Sequence, residues 1–360
     1  MKIIKLELKN FRNFKDFSIV FSKQKTLLVA PNTYGKTNLL EAMFYGAIGR
    51  SFKAELERET IHNDEEFSDV NLMVNSREEG ILLRIFLQKG ESDTQVKKRL
   101  EVNNVSRKLF NFLGQFRAVL FSPEDLNLIA DSPSQRRKYL DTVLSSISPS
   151  YYRNLNQYQK VIVQRNRLLH RIREGQQERE QLFYWNEKIL NLGIKIYNER
   201  KKSLSYLSDE MKITGQKIHI NAYDLEIVYL PSLISPERLK RYEDRDIESA
   251  QSLIGPHRDD FKLFWMGHDL AKYGSRGEQR LGILALKMAE INFLEKMTGE
   301  RPVLLLDDVF SELDVRHCEL IFPLFDHQQT VITATDKHRL SKDLLEDFQI
   351  IDLTVIDQKS

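Results

Sequence analysis

The sequence predicts a mixed α/β protein, a sheet-forming head divided in the chain by an inserted α-helical lobe with a short antiparallel helical arm. Three observations predict it. Strand-length apolar stretches crowd the segment before Pro133 and return after Tyr223. Between Pro133 and about residue 220 the strand signal gives way to helical spacing. Two apolar strands, one near each end of the chain, run into short polar motifs, Ala30-Pro-Asn-Thr-Tyr-Gly-Lys-Thr37 and Asp307-Asp308. The expected boundaries are 1–125 with 222–360 for the head and 126–221 for the lobe.

In chain order, residues 3–8 alternate between aliphatic and polar, 18–21 form a short apolar stretch, and 26–29 lead into a glycine-lysine loop. Such runs read as strands. Asn38-Leu-Leu-Glu-Ala-Met-Phe-Tyr45 has helical spacing and good helix formers. Further strands are expected at 70–74, 81–88, 99–102 and 118–121. In the middle, Leu182, Trp185, Ile189, Leu192 and Ile196 recur in steps of three and four, the seam of a paired helix. Leu155, Tyr158, Ile162, Leu169 and Ile172 give a looser matching stripe, and polar, glycine-bearing residues 173–179 suit the turn between them. Strands return at 225–230, 261–264, 302–306, 330–334 and 348–353, with a strong helix over 278–297.

A chain of 360 residues with 41% hydrophobic and 29% charged residues has ample core and the balance of a soluble globular protein. Its net charge of +2 is too small to announce a nucleic-acid partner by itself. The single cysteine, Cys318, excludes an intramolecular disulfide framework and suits a reducing cytoplasm. Residues 1–8 read as a strand instead of a leader, and no apolar run reaches the roughly 20 residues of a membrane span, so no membrane partner is expected.

Ala30-x-x-x-x-Gly-Lys-Thr37 lies between a predicted strand and a predicted helix, the setting a phosphate-binding P-loop requires. Backbone N–H groups of such a loop and of the helix start face phosphate oxygens. Lys36 would bridge the β and γ phosphates and Thr37 would bind Mg²⁺. The cradle then comprises Ala30, Pro31, Asn32, Thr33, Tyr34, Gly35, Lys36, Thr37 and Asn38. Alanine replaces the usual first glycine; close approach survives, but a positive φ there would be costly. The competing reading is a chance turn between strand and helix. Adjacent acids repel, so Asp307 and Asp308 make most sense beside a metal and a phosphate. Asp307 occupies the place of a second metal contact, through water, and Asp308 the place of the residue that polarises an attacking water. Tyr273-Gly-Ser-Arg-Gly-Glu-Gln-Arg280 opens the 278–297 helix and exposes N–H groups to an anion. P-loop, Ser-x-Gly helix and acidic strand, in that order, are the arrangement of ABC-type ATPases.

The chain resembles the RecF family, bacterial recombination mediators in the SMC-like branch of ABC ATPases. The resemblance runs through Asn10-Phe-Arg-Asn13, Asn32 with Gly35-Lys-Thr-Asn-Leu-Leu-Glu-Ala42, and Phe121-Ser-Pro-Glu-Asp-Leu126. It continues through Ser132-Pro-Ser-x-Arg-Arg137 with Leu140-Asp141, Gly255-Pro-His-Arg-Asp-Asp260, Ser275-Arg-Gly-Glu-Gln-Arg280 and Leu306-Asp-Asp-Val-Phe-Ser-Glu-Leu-Asp314. Asp308, where generic ABC proteins carry glutamate, is itself the family pattern. The resemblance implies an ABC-type head that binds ATP and Mg²⁺ and forms an ATP-dependent homodimer. Lys36, Thr37 and Arg12 would hold the nucleotide, while Ser275 and Gly277 of a second copy cap its γ-phosphate. Lys36 and Asp308 would serve a slow, DNA-linked hydrolysis, Asp308 holding water less closely than a glutamate. The family also implies binding of duplex and gapped DNA, with RecR and RecO as partners in loading RecA and in the SOS response.

Departures from the family are Ala30, Thr33-Tyr34, Asp131 before Ser-Pro-Ser, and Glu278 where glutamine is frequent. Thr335 falls where transporter-type relatives carry a switch histidine. These bear on hydrolysis rate more than on binding. His257 and Arg258 could pass for a catalytic pair, but their motif reads better as fixing a turn. Residues 133–217 carry 17 Lys/Arg against 8 Asp/Glu. A solvated face or a DNA-phosphate track would both account for that surplus. Arg50 and Lys53 are further candidates on the head. The rival readings are a nucleotide-sensing interaction module without hydrolysis, and another SMC-type or transporter ATPase.

Overall fold

The structure is a computed structural model that describes residues 1–92, 95–130, 132–217, 224–308, 326–336 and 345–356. The chain divides into two compact units, Met1–Asp125 with Glu290–Ser360, and Leu126–Ala289. The strands of the first unit are β1 (Lys2–Phe11), β2 (Phe14–Val20), β3 (Lys25–Val29), β4 (Phe67–Ser76), β5 (Glu79–Lys89), β6 (Val96–Val102), β7 (Val105–Arg107), β8 (Ala118–Phe121), β12 (Val303–Leu306), β13 (Thr330–Ala334) and β14 (Phe348–Asp352). They form an antiparallel sheet, β2-β1-β4-β5-β6-β7, and a parallel sheet, β14-β3-β13-β12-β8.

Burial explains both patterns. β8, β12 and β13 are buried at every residue, as expected of parallel strands covered on both faces. β1 alternates, but Ile3 and Leu6 are both buried although they stand three positions apart. A register shift against β4 between Ile3 and Lys5 makes this possible, since an uninterrupted strand would turn one of them outward. Helix α1 (Lys36–Ile48) is buried along almost its whole length and belongs to one core with residues of both sheets. That burial is why its sequence lacks a clear polar face.

The second unit contains α4 (Pro133–Ile147), α5 (Pro149–Arg173), α6 (Leu182–Lys217), α7 (Pro236–Ser249) and α9 (Arg276–Thr298), the last belonging to it up to Ala289. Here labels α2, α3 and α8 denote the single turns Leu109–Phe112, Asn127–Ala130 and Leu270–Tyr273. A small antiparallel sheet, β11-β10-β9, joins Leu225–Leu230 (β9), Asp260–Trp265 (β10) and His268–Asp269 (β11). α5 and α6 form the expected arm. Arg165 bonds Asn186, and Tyr151, fourteen residues back along α5, bonds Arg200, fourteen residues forward along α6. Opposite running directions follow. Of the seam, Leu182, Ile189, Leu192 and Ile196 are buried and Trp185 is half-buried.

Helix α7 is absent from the sequence reading, although Ser235-Pro-Glu signals it: Ser235 accepts from Arg238 N–H at 3.2 Å and Pro236 takes the first helical position. Compactness also groups residues 224–289 with the helices, because β9 packs along α6 and β10 along α4.

Candidate functional site

Parallel strand order places three strand ends side by side: β3 leads into the loop 30–35, β13 ends at Ala334, and β12 ends at Leu306, just before Asp307. Ligands of open α/β sheets bind at such carboxyl ends. Gly35 caps α1 at φ 87°, and a Cβ there would lie 2.5 Å from Asn13 Oδ1 and 2.8 Å from Phe14. Only glycine suits both the conformation and the space. Asn13 braces the loop from β1's end, its Oδ1 accepting from Asn38 Nδ2 at 2.8 Å. Thr33 carries a positive φ of 79°, whereas Ala30 is absent from the residues with positive φ. Alanine for glycine at position 30 therefore has no conformational cost.

Lys36 folds back over the loop, donating to the carbonyls of Ala30 at 2.5 Å and Pro31 at 3.1 Å. Burial lowers its pKa, and the carboxylates of Asp308 and Asp307 pull it back up. Thr37 Oγ1 donates to Asp307 Oδ2 at 2.8 Å across 270 residues of chain. Thr333, on the strand between, donates to Asp307 Oδ1 at 2.8 Å and accepts from Asp308 N–H at 2.9 Å. Its role escaped the sequence reading, because nothing local marks a threonine inside a β-strand as a clamp. Asp308 adopts a φ of 47°, a region that aspartate tolerates better than glutamate. One hydroxyl and one or two carboxylates form the sparse, hard oxygen set that Mg²⁺ accepts when phosphates and water supply the rest.

Arg12, in the turn between β1 and β2, reaches Glu41 on α1. Its Nε and Nη2 donate to the two oxygens of buried Glu41 at 2.9 and 2.7 Å, and Nη1 donates to Glu59 O at 2.7 Å. Ser51 completes the shell of Glu41. The bidentate pair ties the β1–β2 turn to α1, the helix into which the loop leads. Pro31, Asn32, Thr33 and Tyr34 are exposed along the rim, and Asn38 is half-buried beside Asn13.

Ser275 and Gly277 lie in the second unit, exposed at the start of α9. A Cβ on Gly277 would meet only Ser275 Oγ, at 4.0 Å. Packing within the chain does not ask for a glycine there. The Gly255–Asp260 motif proves to be a structural joint. Gly255 has φ 121°, and a Cβ would strike Tyr158 Oη at 2.3 Å. His257 Nε2 meets Ser252 O at 2.8 Å, so it carries the proton, and Nδ1 accepts from Tyr158 at 2.9 Å. Burial pushes its pKa down to about 4, helped by Arg258, Arg137 and Arg165 and opposed by the Ser252 hydrogen bond. Asp259 and Asp260 hold Arg200 and Arg136. Arg136, Arg165 and Arg200 are thus buried in ion pairs and leave the basic surplus of 133–217 smaller on the surface than the count suggested. Arg50 and Lys53 are exposed. Asp131, Cys318 and the turn 311–314 lie outside the described residues.

A family model described as the RecF/RecN/SMC N terminal domain matches residues 2–351. The chain is 37% identical over 355 residues to the DNA replication and repair protein RecF of Acetivibrio thermocellus, covering 94% of each chain. The chain belongs to the RecF family. It is 35% identical to RecF of Clostridium acetobutylicum, with 97% of each chain covered. A solved structure of the recombination mediator RecF with ATP, from the RecFOR pathway, superposes with a TM-score of 0.87 at 34% identity, covering 94% of this chain and 93% of that one. An Smc head domain from Pyrococcus furiosus shares the fold alone, with a TM-score of 0.53 at 18% identity over 97% and 92% of the chains. The expected mixed α/β P-loop head of the RecF and SMC type is therefore the observed one. Among the described residues no helix is long and apolar enough to cross a membrane.

Proposed function

We propose that this RecF-family chain is an ATP-dependent DNA-binding protein that dimerises on ATP to clamp duplex DNA beside single-strand gaps. The observation that carries the reading is the meeting of Thr37 and Asp307 at 2.8 Å beneath the loop that holds Lys36. ATP would lie on residues 30–38, with Lys36 leaving its loop carbonyls for the β and γ phosphates. Thr37 and Asp307 would hold Mg²⁺, which when bound offsets phosphate charge. Arg12, held by Glu41 of α1, would be a further nucleotide contact. Asp308 would orient the attacking water, with slow turnover that times release.

Ser275 and Gly277 of a second copy would close over the γ-phosphate, which gives the otherwise unneeded glycine a reason. The functional head, 1–125 with 222–360, then draws on both compact units, and 126–221 forms the inserted lobe with its DNA-facing arm. RecR and RecO are the proposed partners, with RecA loading and SOS induction as the consequence, in the cytoplasm.

Sedimentation with ATP, with ADP, and with gapped DNA tests this. A dimer that forms with ATP, is lost in Lys36→Ala, and binds DNA supports it; a Lys36→Ala protein that still dimerises with ATP sinks it. An ATPase assay with and without duplex DNA separates it from a non-hydrolysing nucleotide sensor.

A further inference from the structure

The first turn of α9 is closed on itself. Ser275 N–H donates to the Glu278 carboxylate at 2.7 Å, and Glu278 N–H donates back to Ser275 Oγ at 3.3 Å. This is a reciprocal capping box, which satisfies two of the helix's orphan donors. The ring is exposed: Ser275, Arg276, Gly277 and Glu278 all face solvent. Among the described residues no lysine or arginine forms an ion pair with Glu278. Its hydrogen bonds to Ser275 hold the carboxyl below the usual range, so it stays charged at neutral pH. The helix start thus holds a negative charge, paired with no basic side chain among the described residues, on the very serine that a γ-phosphate would use.

We propose that Glu278 is an internal stand-in for the γ-phosphate, occupying the Ser275 donors in the single chain and opposing the arrival of nucleotide on a second copy. The inference rests on the ATP-sandwich reading above and adds its regulation. Two anions compete for one set of helix N-terminal donors. For the dimer to close, the carboxylate must swing into solvent, and its charge still faces the phosphate across the interface. The contact therefore weakens the ATP dimer and hastens its opening.

Glu278→Gln isolates the charge, because a glutamine oxygen can accept the same Ser275 N–H and keep the cap. In sedimentation with ATP at low salt, the variant is expected to dimerise at about fivefold lower protein concentration, the scale of one like-charge contact at a wet interface. Salt should narrow that gap, since screening removes repulsion in the unmodified protein, while the thermal unfolding temperature stays the same. A variant that dimerises at the unmodified concentration overturns the proposal while leaving the sandwich intact. So does a gain that salt leaves undiminished, which marks a packing effect. If neither protein dimerises with ATP, the sandwich reading fails first, and this inference with it.

Discussion

At the residue scale, position 35 shows how little room the loop leaves. Its φ of 87° and the 2.5 Å approach of Asn13 leave no place for a methyl group. Gly35→Ala is expected to fold, because the strain is local, and to lower ATP affinity at least about tenfold, or roughly 1.4 kcal/mol. Equilibrium binding of a fluorescent ATP analogue checks it; unchanged affinity would show that the loop relaxes freely. His257 gives a second residue-scale test. Its folded pKa of about 4 lies below the ordinary value of 6.5, so the unfolded chain binds more protons between those values. Stability contributed by neutral His257 is complete above pH 6.5 and is lost as pH falls toward 4, by up to about 3 kcal/mol. Its ring proton shifts should stay flat from pH 8 to 5 in a nuclear magnetic resonance titration. A midpoint above pH 6 contradicts the buried neutral ring.

At the scale of elements, the arm is held by a fully buried ion pair instead of by its seam alone. Arg165 Nη1 donates to Asp246 at 2.8 Å and to Ser252 at 2.8 Å, and both charged side chains are shielded from solvent. Deleting one partner leaves a buried charge unpaired. Asp246→Ala should therefore destabilise the helical unit by about 3–5 kcal/mol, whereas Arg165→Met with Asp246→Leu should recover most of that loss. Denaturant unfolding of the two variants decides it, and equal losses would refute the pairing. The arm itself was legible in the sequence because a step of three and four residues is a local property of a helix. Arg165 was not: it falls between Ile162 and Leu169 at the spacing of the apolar stripe, and residue type alone does not reveal that a charge there is buried against Asp246. Helix α7 was missed for a related reason: its polar composition hid it, although its Ser-Pro cap was plain.

At the scale of the whole molecule, the proposed DNA binding needs a basic surface to carry it. Three of the arginines in the basic stretch are committed to buried pairs, and Arg153, Lys160, Arg167, Lys195, Lys201 and Lys202 remain exposed on α5 and α6. If these track phosphates, duplex binding must weaken steeply with salt and show little base preference. A log–log plot of affinity against salt with a slope near zero would remove the arm from the DNA reading. Charge reversal at Lys201 and Lys202 together should lower the slope by about two.

The sequence alone determined the P-loop, the buried acidic strand and the helical arm, because each is written in neighbouring residues whose spacing and chemistry are local. It also determined the family, through motifs spread along the chain in order. Tertiary structure alone decided how these parts are used. Strand order in the parallel sheet puts β13 between β3 and β12, so Thr333 clamps both aspartates. The path of the loop moves the left-handed residue from Ala30 to Thr33 and Gly35. Packing between distant helices buries cations that composition counted as surface. Such facts depend on which segments meet in space, and burial and strand register carry that information where residue type does not.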